Sequence, residues 1–404
     1  MKRREFLLAT TSIGGAIVVP QAWAATPCPP PLVSSTAGSV TSPLCGAQPG
    51  TSVLAKLAAS MPAGSWAQVT GTNQNSVLTD NDGAGSGSHM HYSNSMNYIP
   101  QSDRIQIIGA DHGSYYTMFI IEFDLATNQF VTISAGAGAP GYGNGTGPGH
   151  GYDHATVNPY TGDAYQVHYG QNVTYKITVT KRAFGATSFA TTLPTTMIDQ
   201  SANITFGSCW WSGTFTGGGG AGAQGCLMVF NQGNSTGIAT DGVMNAYDPL
   251  KNSWVFSLIG ASPNFGSSGT YHALAEYSPV FNCMVYGGGN AASSKLWRMD
   301  SNGSVTRLTD VPSGKRVGIQ EGNLVVDPVT GKFLLLSASQ LWELDPRGVG
   351  TWTQQTGSRN PPAGVGSPDV PDGIMSCALA RFGVVAYIKQ STASGGTFFL
   401  YKHV

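Results

Sequence analysis

The chain has 404 residues, of which 10% are charged, 41% hydrophobic and 54 glycine, and its formal net charge is −1. That balance gives no basic field to attract nucleic acid, and beyond the first two dozen residues no apolar run is long enough for a membrane span. Length alone suggests two or three domains, but large β architectures often run as one, and a chain this long buries an ample core without metal or disulfide help.

In chain order, residues 1–24 read as an export signal. Lys2-Arg3-Arg4 forms a charged start, Ala9 to Val19 a mild apolar stretch, and Ala22-Trp23-Ala24 a small-x-small cleavage site. Arg3-Arg4 followed by Phe6-Leu7 resembles a twin-arginine signal, with ordinary Sec export as the alternative. Either implies a periplasmic or secreted protein whose mature chain begins near Ala25. Residues 25–60 form a Pro- and Ser-rich lead-in with a short helix expected at Ser52–Ser60, and residues 61–404 form the folded domain.

Gly64 to Thr70 reads as a lone strand, and its Trp66 has counterparts at Trp254 and Trp352. Then, six times, a polar segment runs into a hydrophobic strand, a tight turn and a second hydrophobic strand. The clearest copies start at His91, His154 and His272, and fainter ones at Cys209, Glu321 and Asp372. Self-similarity at roughly 45–60 residues marks a blade repeat. Short strands between Gly, Asn, Asp and Pro, with no helical period, argue an all-β chain. The expectation is a single β-propeller of about six four-stranded blades, with seven as the alternative because a glycine-rich insert hides the register of blade three. The blades span approximately 88–140, 150–199, 203–262, 268–313, 316–360 and 370–404 with 62–72. The last blade has room for only three strands before Val404, so residues 64–70 are expected to supply its outer strand and close the ring. Third strands end on aspartate turns at Asp124, Asp248, Asp300 and Asp345.

Six cysteines fit an oxidising compartment without forming a disulfide scaffold. Cys28 and Cys45 bracket the lead-in and can pair. Cys209 and Cys226 flank the glycine-rich loop and can staple its base. Cys283 and Cys377 lie in apolar strands and read as buried free thiols.

A propeller brings its innermost strands to one axis, so the histidines draw attention. His91 leads into a strand and His112 closes the next; His154 and His168 repeat this one blade later, with His150 just before; His272 opens the equivalent strand in blade four. Imidazoles around one mouth suit proton transfer or zinc and copper binding. The competing reading is that they are scattered polar residues bonded to backbone. Tyr92, Tyr169 and Tyr271 neighbour these histidines and can serve as acids or bases if perturbed. Trp210 and Trp211, with Tyr92, offer sugar-stacking surfaces. Arg316, ahead of the inner strand of blade five, is a cation within reach of the axis, with a surface role equally open. Asp82, Asp111, Asp153, Glu321 and Asp372 lie near blade ends, where turn capping accounts for most; Glu276 and Glu343 lie in strands, as functional groups or ion-pair partners. No nucleophile elbow, P-loop, dinucleotide fingerprint or HExxH is present, which weakens serine hydrolase, NTPase, dehydrogenase and metalloprotease readings.

With Tyr286-Gly287-Gly288-Gly289 ending a second strand, Trp254, Trp352 and the aspartate turns, residues 64–404 resemble the kelch-like and related propeller families. The segment from His91 to His112 looks like a hairpin of the secreted propeller polysaccharide lyases of ulvan-lyase type. That resemblance implies β-elimination on a uronate polymer: the carboxylate is neutralised, the C5 proton removed and the C4 oxygen expelled. It implies catalytic or metal-adjacent roles for His91 and His112, Tyr169 or Tyr271 as the tyrosine and Arg316 as carboxylate partner, while His154 and His272 are catalytic candidates from their places at inner-strand starts. His150 and His168 would be the ligands of any zinc or calcium ion. Tyr271-His272 followed by the glycines also resembles a copper-ligand strand of galactose-oxidase-type enzymes, which implies a copper ion. The third reading is a non-catalytic propeller binding glycan or protein. The expected partner is an acidic polysaccharide or oligosaccharide, bound by a monomer.

Overall fold

The computed structural model describes residues 52–79, 89–90, 93–109, 118–137, 153–169, 177–194, 206–231, 242–261, 272–289, 293–319, 321–363, 365, 374–391 and 395–404. Among these, six four-stranded antiparallel sheets form the blades of a propeller. Blade one comprises Met96–Ile99, Arg104–Gly109, Met118–Asp124 and Gln129–Ala137. Blade two comprises Ala155–Val157, Ala164–Tyr169, Ile177–Arg182 and Thr191–Thr192. Blade three comprises Phe206–Trp211, Cys226–Asn231, Val243–Asp248 and Ser253–Ile259. Blade four comprises Leu274–Ser278, Cys283–Gly287, Leu296–Asp300 and Val305–Arg307. Blade five comprises Asn323–Val326, Phe333–Ser337, Gln340–Asp345 and Thr351–Gln354. Blade six comprises Ile374–Leu379, Val384–Ser391, Gly395–Lys402 and, as its outer strand, Ser65–Gln68.

Ring closure follows the expectation. Ser65–Gln68 pairs antiparallel with Gly395–Lys402, Trp66 lying opposite Tyr401, so a strand from the N-terminal side completes the last blade as its outer strand. The lead-in helix also forms, at Val53–Ser60, with the Ser52 hydroxyl capping the Ala55 amide. Its Leu54 and Ala58 bury against the core shared by blades six and one. The glycine-rich insert of blade three is only a connection: Trp211 on one side of it pairs with Cys226 on the other.

The repeated sequence marks have physical duties. Asp124 accepts from the amides of Ala126 and Thr127, and Asp248 from those of Leu250 and Lys251, so both are Asx turns. In three blades an outer-strand tryptophan ties the blade to the one before. Trp254 donates to the Pro194 carbonyl, Trp352 to Thr309 and Trp66 to Arg359. The glycine triplet is needed at Gly288, where φ is +74° and a Cβ would sit 2.5 Å from the Val317 carbonyl oxygen.

The expected Cys209–Cys226 staple is corrected. Cys209 lies opposite Met228 and Cys226 opposite Trp211, and both are buried free thiols, as are Cys283 and Cys377. Adjacent strands already hold this hairpin through its ladder. Cys28 and Cys45 lie outside the described residues, as does the export signal.

Candidate functional site

The six innermost strands contact one another in ring order and enclose a cavity of about 340 Å³. One end is lined by Asn94, Asp153 and Ser208, at the starts of inner strands. The other is lined by Pro159, Gly213, Pro279, Pro328 and Ala380, in the turns that lead to second strands. The cavity therefore runs along the axis from the strand starts to the turn face.

At the strand starts the axis is crossed by side chains. The Ser376 hydroxyl donates to Asn323 Oδ1, and Asn323 Nδ2 donates to Asn94 Oδ1 at 2.6 Å. Asn94 Nδ2 donates to Asp153 Oδ1 at 3.2 Å, and Asp153 Oδ2 accepts the Ala275 amide at 2.8 Å. The Ser208 amide bonds the Asp153 backbone carbonyl at 2.9 Å, completing a belt that touches all six blades. Its members are buried: Asn94, Asp153 and Ser208 are 4% exposed, Asn323 3% and Ser376 2%. Asp153 is thus no turn cap but the node where four blades meet.

Glu276 stands on the wall above it, half-buried and facing the cavity. Burial pushes its carboxyl well above the usual range, the Asp153 charge adds to that, and the Val326 amide opposes. Asp153 is raised to about 7 by burial, against the amide donors of Ala275, Asn94 and Ser208. The contrast in donors distinguishes the pair: three N–H groups oppose the rise at Asp153, whereas one opposes it at Glu276. Burial also pushes the Cys209 and Cys377 thiols well up, with the Glu276 charge adding, so neither is poised as a thiolate. The rest of the lining is amide, hydroxyl and aromatic, with Asn97, Thr156, Ser212, Trp210 and Tyr277; no described lining residue is Lys, Arg or His.

The residues singled out in the sequence distribute differently. Trp210 lines the cavity. Trp211 is fully buried between blades, stacked near Phe215 and Tyr277 and donating to Asn282, so it offers no face to a sugar. Arg316 has a side chain 64% exposed and pairs with Glu321 on the surface, away from the lining. His154 is buried beside Asp153, its amide bonded to Ser95 Oγ, and His272 is buried with φ +76°; neither lines the cavity. His168 and Tyr169 end the second strand of blade two, pairing with Thr178 and Ile177. His91, Tyr92, His112, His150 and Tyr271 lie outside the described residues. Among the described residues no group of three or more His, Cys, Asp or Glu is placed to hold a metal ion.

Sequence reasoning passed over Asn94, Asn323 and Ser376. The signal was present: each is a small polar residue at or near the start of an inner strand, as Asp153 is.

No family model matches the chain, and no curated protein does. Among solved structures it is similar to an α-L-arabinanase of Penicillium chrysogenum complexed with arabinobiose, at 11% identity over 78% of this chain and 95% of that one, TM-score 0.45. It is similar to streptogramin B lyase at 11% identity over 80% and 95%, TM-score 0.41. It is also similar to the Dos1 propeller at 10% identity over 76% and 67%, TM-score 0.40. At such identities the likeness is one of fold.

Proposed function

We propose that the protein is an exported carbohydrate-active propeller enzyme in which Glu276 and Asp153 are the acid and base of glycosidic bond cleavage. The observation that carries this reading is the pair itself: two carboxyl groups in one axial cavity, both raised, one held by several amides and the other by one. Paired carboxyls whose environments push their pKa values apart are what glycoside chemistry needs. Amides, hydroxyls and the Trp210 ring supply the polar contacts and stacking surface that a sugar takes.

The step balances without a further reactant. Glu276 gives its proton to the departing glycosidic oxygen as that bond to the anomeric carbon breaks. Water forms the new bond to that carbon, and Asp153 takes the proton the water loses. The uronate β-elimination expected from the sequence needs a group that neutralises a carboxylate, and the described lining holds no cation. A neutral sugar unit is therefore the favoured substrate, and an acidic polymer the alternative partner. The test is turnover of neutral and uronate glycans by the mature protein and by Glu276→Gln. Reducing sugar released from a neutral glycan, falling at least about 100-fold in Glu276→Gln, supports the reading. An unsaturated, ultraviolet-absorbing product from a uronate polymer would replace it with elimination. Inertness toward both would end it.

A further inference from the structure

We infer, resting on the glycan reading of the site, that the cavity is a blind pit opening on the turn face, and that it accepts only the end of a glycan: a chain terminus or a single-unit branch. Two hydrogen bonds of the belt are chords across the ring. Asn323 to Asn94 joins blade five to blade one and passes over blade six; Asp153 to Ala275 joins blade two to blade four and passes over blade three. Chords of 2.6 and 2.8 Å leave no gap between their partners. Ser376 braces the first chord and the Asp153–Gly207 bridge the second.

The floor is also costly to open. Every belt side chain is buried, so parting Asn94 from Asn323 would leave amide groups without partners in a low-dielectric interior. A polymer cannot thread this axis. Above the floor the walls close in from all six blades, and about 340 Å³ is the low end of small-ligand sites. The reacting bond must reach Glu276, on the wall just above the belt, so a unit has to enter the pit end-first, with the rest of its chain leaving past Pro279, Pro328 and Ala380. An open groove would instead let the middle of a polymer lie across the carboxyls.

The test uses the mature protein with two sets of probes: 4-nitrophenyl glycosides of neutral monosaccharides, and dye-cross-linked polysaccharides that release colour only on internal cleavage. Each glycoside is also examined by saturation-transfer NMR, with the wild type and with Ala380→Trp, which narrows the mouth. Nitrophenol release with no dye release supports the inference, as does transfer stronger to sugar-ring than to aryl protons that falls at least fivefold in Ala380→Trp. Side-branched against linear oligosaccharides then separates a branch from a chain terminus. Dye release at rates matching the glycosides overturns the chain-end inference and leaves the glycan reading intact. Ring transfer without turnover keeps the pit and removes the catalysis. Absence of both turnover and transfer overturns the two together.

Discussion

Two carboxyl sites in this propeller are built in opposite ways. On the axis, Asp153 and Glu276 have only amide donors and each other, and both are raised. At the seam between blades five and six, burial likewise works against the charge of Glu343, but His403 and Lys332 outweigh it and hold the carboxyl below its usual range. Lys332 donates to Glu343 Oε1 at 2.6 Å, His403 bonds the other oxygen, and Arg359 caps the His403 carbonyl at 2.9 Å. The same carboxyl chemistry is pushed toward its neutral form in one place and toward its charged form in the other. What differs is the supply of cations, and only the first arrangement leaves a proton available to a ligand.

The largest expected effect breaks the comparison on the functional side. Glu276→Gln keeps the shape and removes the proton, so turnover should fall by about 10²- to 10⁴-fold with little change in melting temperature. Glu343→Gln should leave turnover within about twofold, since Glu343 does not line the cavity. Equal losses in the two variants would show that Glu276 acts through the fold.

Next is stability at the floor. Asp153→Ala would strip the Ala275 amide and Asn94 Nδ2 of their acceptor at a buried node, costing about 3 kcal/mol or more in denaturant unfolding. The pH dependence carries the sign. Folding raises Asp153 from 3.8 to about 7, so between those values the folded state binds more protons than the unfolded one. Stability from this group therefore falls as pH rises across that window. Glu343 runs the other way: lowered from 4.5, it stabilises above that value and loses its contribution as pH falls through its folded value. Melting temperature in Asp153→Asn should flatten between pH 4 and pH 7, and in Glu343→Gln only below about pH 4.5. A profile unchanged in both would mean that neither carboxyl is perturbed as described.

A smaller loss is expected at the seam. His403→Ala leaves Glu343 with Lys332 alone and frees the face of Tyr401, whose hydroxyl lies 3.1 Å from His403 Nδ1. About 1 to 3 kcal/mol should be lost by chemical unfolding, without loss of turnover.

How much of this was legible depends on whether a feature is local in the chain. The blades were, because each strand pair is contiguous and each aspartate turn bonds its own neighbours, as Asp248 does with Leu250. Trp66, Trp254 and Trp352 recur because each solves the same problem at one of three seams between blades. Ring closure could be read from an incomplete last blade. The site was not local. Asn94, Asp153, Glu276, Asn323 and Ser376 are single polar residues in five separate segments, and only closure of the ring puts them together. Histidine chemistry is more conspicuous in a sequence, which drew attention to His154 and His272; both are buried and neither lines the cavity. Asp153 read as a turn residue because an aspartate before a strand commonly is one.

The smallest effect sharpens the comparison by separating neutral from charged seams. Trp352→Phe removes one hydrogen bond, to the Thr309 carbonyl, at a half-exposed outer strand, so about 1 kcal/mol should be lost, with no pH dependence. Trp66→Phe removes the equivalent bond to the Arg359 carbonyl. Arg359 also lies 3.3 Å from the His403 ring Nδ1 through its guanidinium, so the Trp66 and His403 substitutions disturb one shared residue. Combined with His403→Ala, Trp352→Phe should add within about 0.5 kcal/mol, because the two share no partner, whereas Trp66→Phe should deviate by more than that. Additivity in both pairs would mean that the tryptophan bond and the charged cluster hold the closing seam independently, with Arg359 only bystanding.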